Sequence, residues 1–300
     1  MSDGLVLVAG STGALGGKIC DRLVSQQRPV RALVRPTSDP GKVERLRALG
    51  AEVVVGDVEQ PETLGPAVES ATYVITTAST FPVDQRPDAI DIVERRGTCN
   101  LADAAAAAGV RRLVHVSLLE TPTTYPHQQA KLAAEEYLKA SGLEYAIVKP
   151  GLFADVWFSP IMGFDVAGGT VQVYGDGTAL HSWICSADVA AFVVWALDAE
   201  EARNASIELG GPDQLSQLDI VELHEELLES QLERRYLPAS ELERMHAEGK
   251  TPLEVSLAGV MLNAAVGGYV DSAALSERSG IRLTPMQEFA AGQVAALSGT

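Results

Sequence analysis

A chain of 300 residues, 46% hydrophobic and 21% charged, can build one large domain with a smaller lobe and is too apolar to be disordered. Cys20, Cys99 and Cys185 lie far apart with no CxxC spacing, which excludes a disulfide scaffold and a thiolate zinc site, and no His/Asp/Glu grouping has metal-ligand spacing. Residues 1–150 carry 16 basic against 18 acidic side chains and residues 151–300 carry 7 against 22, so the chain offers no basic face for a nucleic acid. No basic segment precedes the first apolar run and no run of 18 uncharged apolar residues occurs, so the expected setting is cytoplasmic, without membrane attachment.

Short apolar runs at Leu5–Ala9, Val30–Val34, Glu52–Val55, Tyr73–Thr77, Arg112–Val116 and Tyr145–Val148 read as strands buried on both faces. Helical patterns separate them. Leu15, Ile19 and Leu23 recur four apart in the first, and the stretch Ala89–Gly109 ends on a glycine suited to a helix C-terminus. The alternation predicts an α/β fold, a Rossmann-type doubly wound parallel sheet.

After Pro150 the pattern becomes irregular and aromatic. Val171–Tyr174 and Ser206–Leu209 read as strands, Asp188–Leu197 as a buried helix and Asp219–Leu232 as an acidic amphipathic helix. Residues 236–275 read as helices and loops, and Thr284–Leu297 as a last helix. The expected division is a dinucleotide-binding core over 1–152, with 182–211 returning to it, and a mainly helical C-terminal substrate lobe over 153–181 and 212–300. His224 and His246, isolated among acids, read as surface residues.

Gly10-Ser11-Thr12-Gly13-Ala14-Leu15-Gly16 joins the first strand to the first helix. There Gly10 permits a tight exit, Gly13 a close approach to a pyrophosphate and Gly16 close helix–sheet packing. An acid after the second strand would select NAD; this chain has Arg35, with Ser38 and Lys42 behind it, which favours the 2′-phosphate of NADP and hence NADPH over NADH. Asp57, in Gly-Asp-Val58, either accepts from the adenine amino group or caps a turn. Thr77, Ala78 and Ser79 end the fourth strand beside the expected switch point and line the cofactor. Pro150, Gly151 and Phe153 follow the sixth strand and border the nicotinamide.

The segments VAGSTGALGGKI, ALVRP, VVVGDVEQPETL, HVSLL, HQQAKLAAEEYLKASGLEYAIVKPGLF and SWICSADVA, in this order, resemble the NmrA-like, atypical branch of the short-chain dehydrogenase/reductase superfamily. The resemblance implies a Rossmann core and NADP(H) binding, in a branch that holds reductases of quinones, dyes and plant phenolics as well as cofactor sensors without turnover. It carries Lys131 over as the residue gripping the nicotinamide ribose. The usual Tyr four residues earlier is replaced by His127, and Tyr125 lies six before Lys131, so the proton comes from water, Tyr125 or His127. His127 falls in a first helical turn, where the dipole disfavours imidazolium. Ser117, near the usual Ser position, is expected to line the cofactor.

Phe81, Trp157, Phe158 and Met162 follow strand ends and are the expected walls for a small apolar or aromatic acceptor. His181 stands where sugar-nucleotide relatives often have Arg, which argues against an epimerase. Two main readings stay open: an NADPH-dependent reductase of such an acceptor, and a redox sensor that binds NADP(H) without turnover. An epimerase or dehydratase is the weaker third. The expected partner is a small apolar molecule, with the chain a monomer or homodimer.

Overall fold

The computed structural model describes residues 4–82 and 84–298. They form two compact units. The first comprises residues up to 118, 126–149 and 189–207; the second comprises 119–125, 150–188 and 208 onward. Of the segment 182–211, residues 189–207 cluster with the first unit and 182–188 and 208–211 with the second.

The first unit alternates β1 (Val6–Ala9), α1 (Ala14–Ser25), β2 (Val30–Val34), α2 (Pro40–Leu49), β3 (Glu52–Val55), α3 (Leu64–Val68), β4 (Tyr73–Thr76), α4 (Thr98–Ala107), β5 (Arg112–Val116), α5 (Pro126–Ala140) and β6 (Glu144–Pro150). A π-helical turn, Asp91–Gly97, leads directly into α4. In the rest of the chain follow α6 (Ala154–Trp157), β7 (Phe164–Asp165), β8 (Thr170–Tyr174), α7 (Ser186–Trp195), β9 (Ala205–Leu209), α8 (Gln217–Leu228), β10 (Glu233–Leu237), α9 (Ala239–Glu248), α10 (Pro252–Val266), α11 (Ala273–Ser279) and α12 (Met286–Ser298).

The main sheet has seven strands in the order β3-β2-β1-β4-β5-β6-β9, and β1 to β6 pair in parallel. In β1, Val6 lies between Val30 of β2 and Tyr73 of β4. Strand order reverses between β1 and β4, and the connections leaving these two paired strands make this the switch point where dinucleotides bind in such sheets. Every residue of β1 and β4 is buried, as the unbroken apolar runs require. Leu7, Leu33, Val74, Leu101, Leu113 and Ile147 form part of the core.

Local chemistry sets the element ends. Asp39 caps α2 by accepting from Lys42 N, and Gly50 ends it in the left-handed region at φ 96°. In the second unit, Ser216 and Asp219 form a capping box on α8. That helix ends at Leu228, four residues short of the expected Leu232, with Glu229 as its C-cap at φ 51°. The chain then re-enters a three-stranded sheet as β10, parallel to β8, with β7 antiparallel on the other side. Glu-Arg-Arg-Tyr-Leu carries no apolar run, because an edge strand with solvent beside it needs none.

His224 corrects the sequence reading. It is fully buried, with Nδ1 at 2.8 Å from Ile220 O and Nε2 at 2.8 Å from Gln293 Oε1, and its ring meets Phe164 edge-on. Its acidic neighbours hide that it shares the apolar stripe of α8 with Ile220 and Val221. His246 keeps a semi-exposed place, beside Thr124 O. His181 is buried, with Nε2 at 2.8 Å from Ala264 O.

Arg112 is wholly buried in β5; it donates to Glu144 Oε1 at 2.6 Å and to the carbonyls of Ala196 and Ala199 at 2.7 and 2.8 Å. Replacing Arg112 with Met strands those acceptors. The unfolding free energy is expected to fall by about 3 kcal/mol, read as a lower urea midpoint at unchanged slope; an unshifted midpoint would show the network to be dispensable.

Candidate active site

The glycine turn is shaped by close approach. Gly10 has φ 81°, and a Cβ there would lie 2.6 Å from Thr77 Oγ1 and 2.8 Å from Ala78 N. A Cβ on Gly16 would lie 2.1 Å from Gly10 O, so the helix could not seat against the turn. Gly13 is the N-cap of α1 and brings no side-chain hydrogen bond to it; Gly13 and Ala14 are exposed, while Thr12 and Leu15 are half-buried. The helix therefore presents its first-turn N–H groups and positive dipole end outward, which fits a pyrophosphate. Ser11 turns inward and donates to Leu33 O at 2.8 Å. Thr77 Oγ1 donates to Ala9 O at 3.2 Å, tying the ends of β1 and β4.

Arg35 is exposed, and among the described residues no carboxylate lies within ion-pair distance of it. Its backbone N–H is held by Ser38 Oγ at 2.9 Å. Glu59 and Asp84, whose carboxyls its charge helps hold down, are instead clasped by Arg86 at 2.6 and 2.7 Å. The Arg35 guanidinium is thus placed to take an anion. Asp57 accepts from Glu59 N at 3.0 Å within its own turn. Val58 is buried against Gly97, and its carbonyl accepts from Asn100.

Lys131 is buried in α5, with Nζ 3.0 Å from Glu94 Oε2 and 3.2 Å from Val116 O. Glu94, in the π turn, has no exposed surface. Its Oε1 accepts from Ser79 Oγ at 2.6 Å and Thr80 N at 2.9 Å. Burial pushes the carboxyl pKa up, but Lys131, His127 and Ser79 together outweigh it and hold the group well below the usual range. His127 Nε2 is 3.6 Å from Glu94 Oε1, and its ring stacks on Phe81 with centroids 4.6 Å apart. Glu94 escaped the sequence reading because Asp-Ile-Val-Glu-Arg-Arg looks like a solvated, charge-paired helix face. The structure pairs Asp91 with Arg95 and Arg96 outside and turns Glu94 in.

Ser117 does not present its hydroxyl as a free donor: Oγ donates to the buried Glu135 Oε1 at 2.5 Å, and Glu135 Oε2 is 3.1 Å from Lys149 Nζ. Beside Lys131, His115 is buried on β5 with no hydrogen-bond partner on either ring nitrogen. Burial, with Lys131 adding to it, lowers its pKa to about 3.

The remaining candidates belong to the second unit, apart from Phe81, which is half-buried in the first. Tyr125 is buried with its ring against Gly259 of α10, where a Cβ would lie 2.7 Å from it, and burial pushes its phenol up to about 12. Pro150 is buried; Gly151 N donates to Leu209 O, and Phe153 bridges to Ile184. Trp157 and Phe158 are corrected: they are core residues, packed with Tyr174, Trp183 and Phe164, not walls open to a ligand. A run of aromatics after a strand serves an interior as well as a pocket, and here the three-stranded sheet needed one. Met162 is partly buried against the same core.

Residues 10–200 match the model of a family described as NAD(P)H-binding. The chain belongs to that NAD(P)H-binding family, in its NmrA-like, atypical short-chain dehydrogenase branch. Among the relatives of this NAD(P)H-binding protein, "Photosystem II assembly factor Ycf39" of Cyanophora paradoxa is 32% identical over 228 residues, covering 74% of this chain and 68% of the relative. "NAD(P)H azoreductase" of Xenophilus azovorans is 28% identical, covering 72% and 71%. The fold is that of the NADPH-dependent quinone oxidoreductase of Escherichia coli solved with NADPH, at TM-score 0.77 and 21% identity over 96% of this chain and 99% of that one. Among the described residues no helix is long and apolar enough to cross a membrane and no group of three or more His, Cys, Asp or Glu could hold a metal.

His115 makes the family core acid-sensitive. Its folded pKa lies below the unfolded value near 6.5, so the unfolded chain binds the extra proton and stability falls as pH drops from 6.5 toward about 3. Its share of the loss between pH 6.5 and 5 is about 2 kcal/mol. His115→Leu is expected to remove that share, measured by denaturation midpoints at both pH values; an unchanged pH dependence would assign it elsewhere.

Proposed function

We propose that this protein is an NADPH-dependent reductase that delivers hydride to a small apolar or aromatic acceptor of the quinone, enone or dye type. The observation that carries the reading is the buried Lys131 ammonium, held by Glu94 and Val116 O at the end of β5. A buried ion pair is a poor way to stabilise a core, and replacing one with apolar groups is often neutral or better. Its presence beside the C-terminal ends of the central strands is accounted for by a job on the cofactor. An azoreductase and structural neighbours solved with NADPH support the same direction.

The bound nicotinamide would supply the hydride, so the protein's part is positioning. The N-terminus of α1 binds the pyrophosphate, and Arg35 binds the 2′-phosphate. Lys131, with two of its three N–H bonds directed to Glu94 and Val116 O, keeps the third for the ribose. Phe81, stacked on His127, supplies an aromatic face to the acceptor. The proton reaches the product from water or His127; the Tyr125 phenol, pushed up to about 12, is a weak donor. The acidic C-terminal half, with 7 basic side chains against 22 acidic ones, repels anionic acceptors and leaves neutral or cationic ones.

NADPH is expected to bind more tightly than NADH, and Arg35→Ala to weaken NADPH by about 10-fold or more while leaving NADH unchanged. Fluorescence titration of both cofactors decides this, and equal wild-type affinities would overturn the assignment. Turnover is expected in a panel of menadione, an azo dye and a triphenylmethane dye at saturating NADPH. Tight NADPH binding with no turnover on any of them would favour the second reading, binding without turnover, to which the Photosystem II assembly factors among the relatives point.

A further inference from the structure

We propose that Glu94 is a positioning residue for this reaction: its carboxylate fixes the Lys131 ammonium and ties it to the Ser79–Thr80 segment that leaves β4. The proposal rests on the reading of Lys131 given above.

Glu94 is answered on both oxygens. Oε1 takes the Ser79 hydroxyl and the Thr80 N–H, and Oε2 takes Lys131 Nζ. The first two donors belong to the segment that leaves β4 at the switch point; the third belongs to α5. One rigid carboxylate thus sets the spacing between the chain beside the cofactor and the cation that grips it. Lys131 has three N–H bonds in tetrahedral array. With Glu94 and Val116 O taking two, the direction of the third is determined. Without Glu94 the ammonium keeps one anchor and can rotate about its stem.

The titratable groups around the pair are His127, from α5, and His115, from β5, and neither supplies a second anion. Glu94 is therefore the carboxylate that answers Lys131 in this buried site.

The test uses the full chain with NADPH and menadione. Glu94→Gln is expected to lower kcat about 10-fold or more while the Kd for NADPH changes less than about threefold. Glu94→Asp keeps the charge but shortens the reach, so kcat should fall there too, with the Kd for NADPH again nearly unchanged. In the Lys131→Met background, Glu94→Gln should change kcat less than about twofold, since its effect passes through the missing ammonium. Thermal midpoints of the four cofactor-free proteins give a readout apart from activity. Each single change leaves a buried charge unpaired, so the double variant should melt above Glu94→Gln alone.

A wild-type kcat in Glu94→Gln or Glu94→Asp, or additive thermal effects, would overturn the proposal while leaving the Lys131 reading intact. Full turnover in Lys131→Met would instead overturn the Lys131 reading, and this proposal with it.

Discussion

A carboxylate sealed from water must be met by a cation or by several donors, and at Glu94 both are present. The first unit is arranged so that this is possible. The π turn carries the side chain inward, α5 brings Lys131 to one oxygen, and the chain leaving β4 brings a hydroxyl and an N–H to the other. Three segments far apart in sequence are thereby held to a single geometry beside the switch point of the sheet. An apolar residue at any corner would leave a buried charge or donor without an answer.

Two kinds of constraint divide the site. At the glycine turn it is steric: Gly10 and Gly16 leave no room for a methyl group, and the helix end stays open because its cap residue has no side chain to close it. Around Lys131 it is electrostatic and concerns direction. The first leaves backbone N–H groups open to approach; the second fixes where the Lys131 ammonium points. Arg35 stands apart from both as an exposed charge whose neighbouring acids are already occupied by Arg86.

Much of the fold was legible in the sequence because strands buried on both faces leave unbroken Val, Ile and Leu runs, as β1, β2, β4 and β5 do; β3, at the sheet edge with Glu52 and Val55 exposed, carries the apolar run without that burial. β10 was not legible, since Glu-Arg-Arg-Tyr-Leu carries no such run. In the candidate site, the family resemblance pointed to Lys131 and to His127 in the place of the usual Tyr, and the structure brings both to Glu94. Glu94 itself was hidden, because nothing in Val-Glu-Arg-Arg distinguishes an inward acid from a solvated one when the helix period is assumed regular. His224 was hidden differently: the acids around it masked a place on the apolar stripe of α8 beside Ile220 and Val221. Trp157 and Phe158 misled for a different reason: composition records that aromatics are concentrated, but not whether they face a ligand or one another.

The π turn at Asp91–Gly97 holds one residue more than a regular α-helical path of the same rise would need. Each residue of an α-helix advances the azimuth by about 100°. A chain shortened by one residue between Glu94 and Gly97 could keep α4 whole and in place, yet Glu94 would be swung by roughly that angle, out of line with Lys131. The length of this one turn therefore decides whether the buried lysine meets a carboxylate.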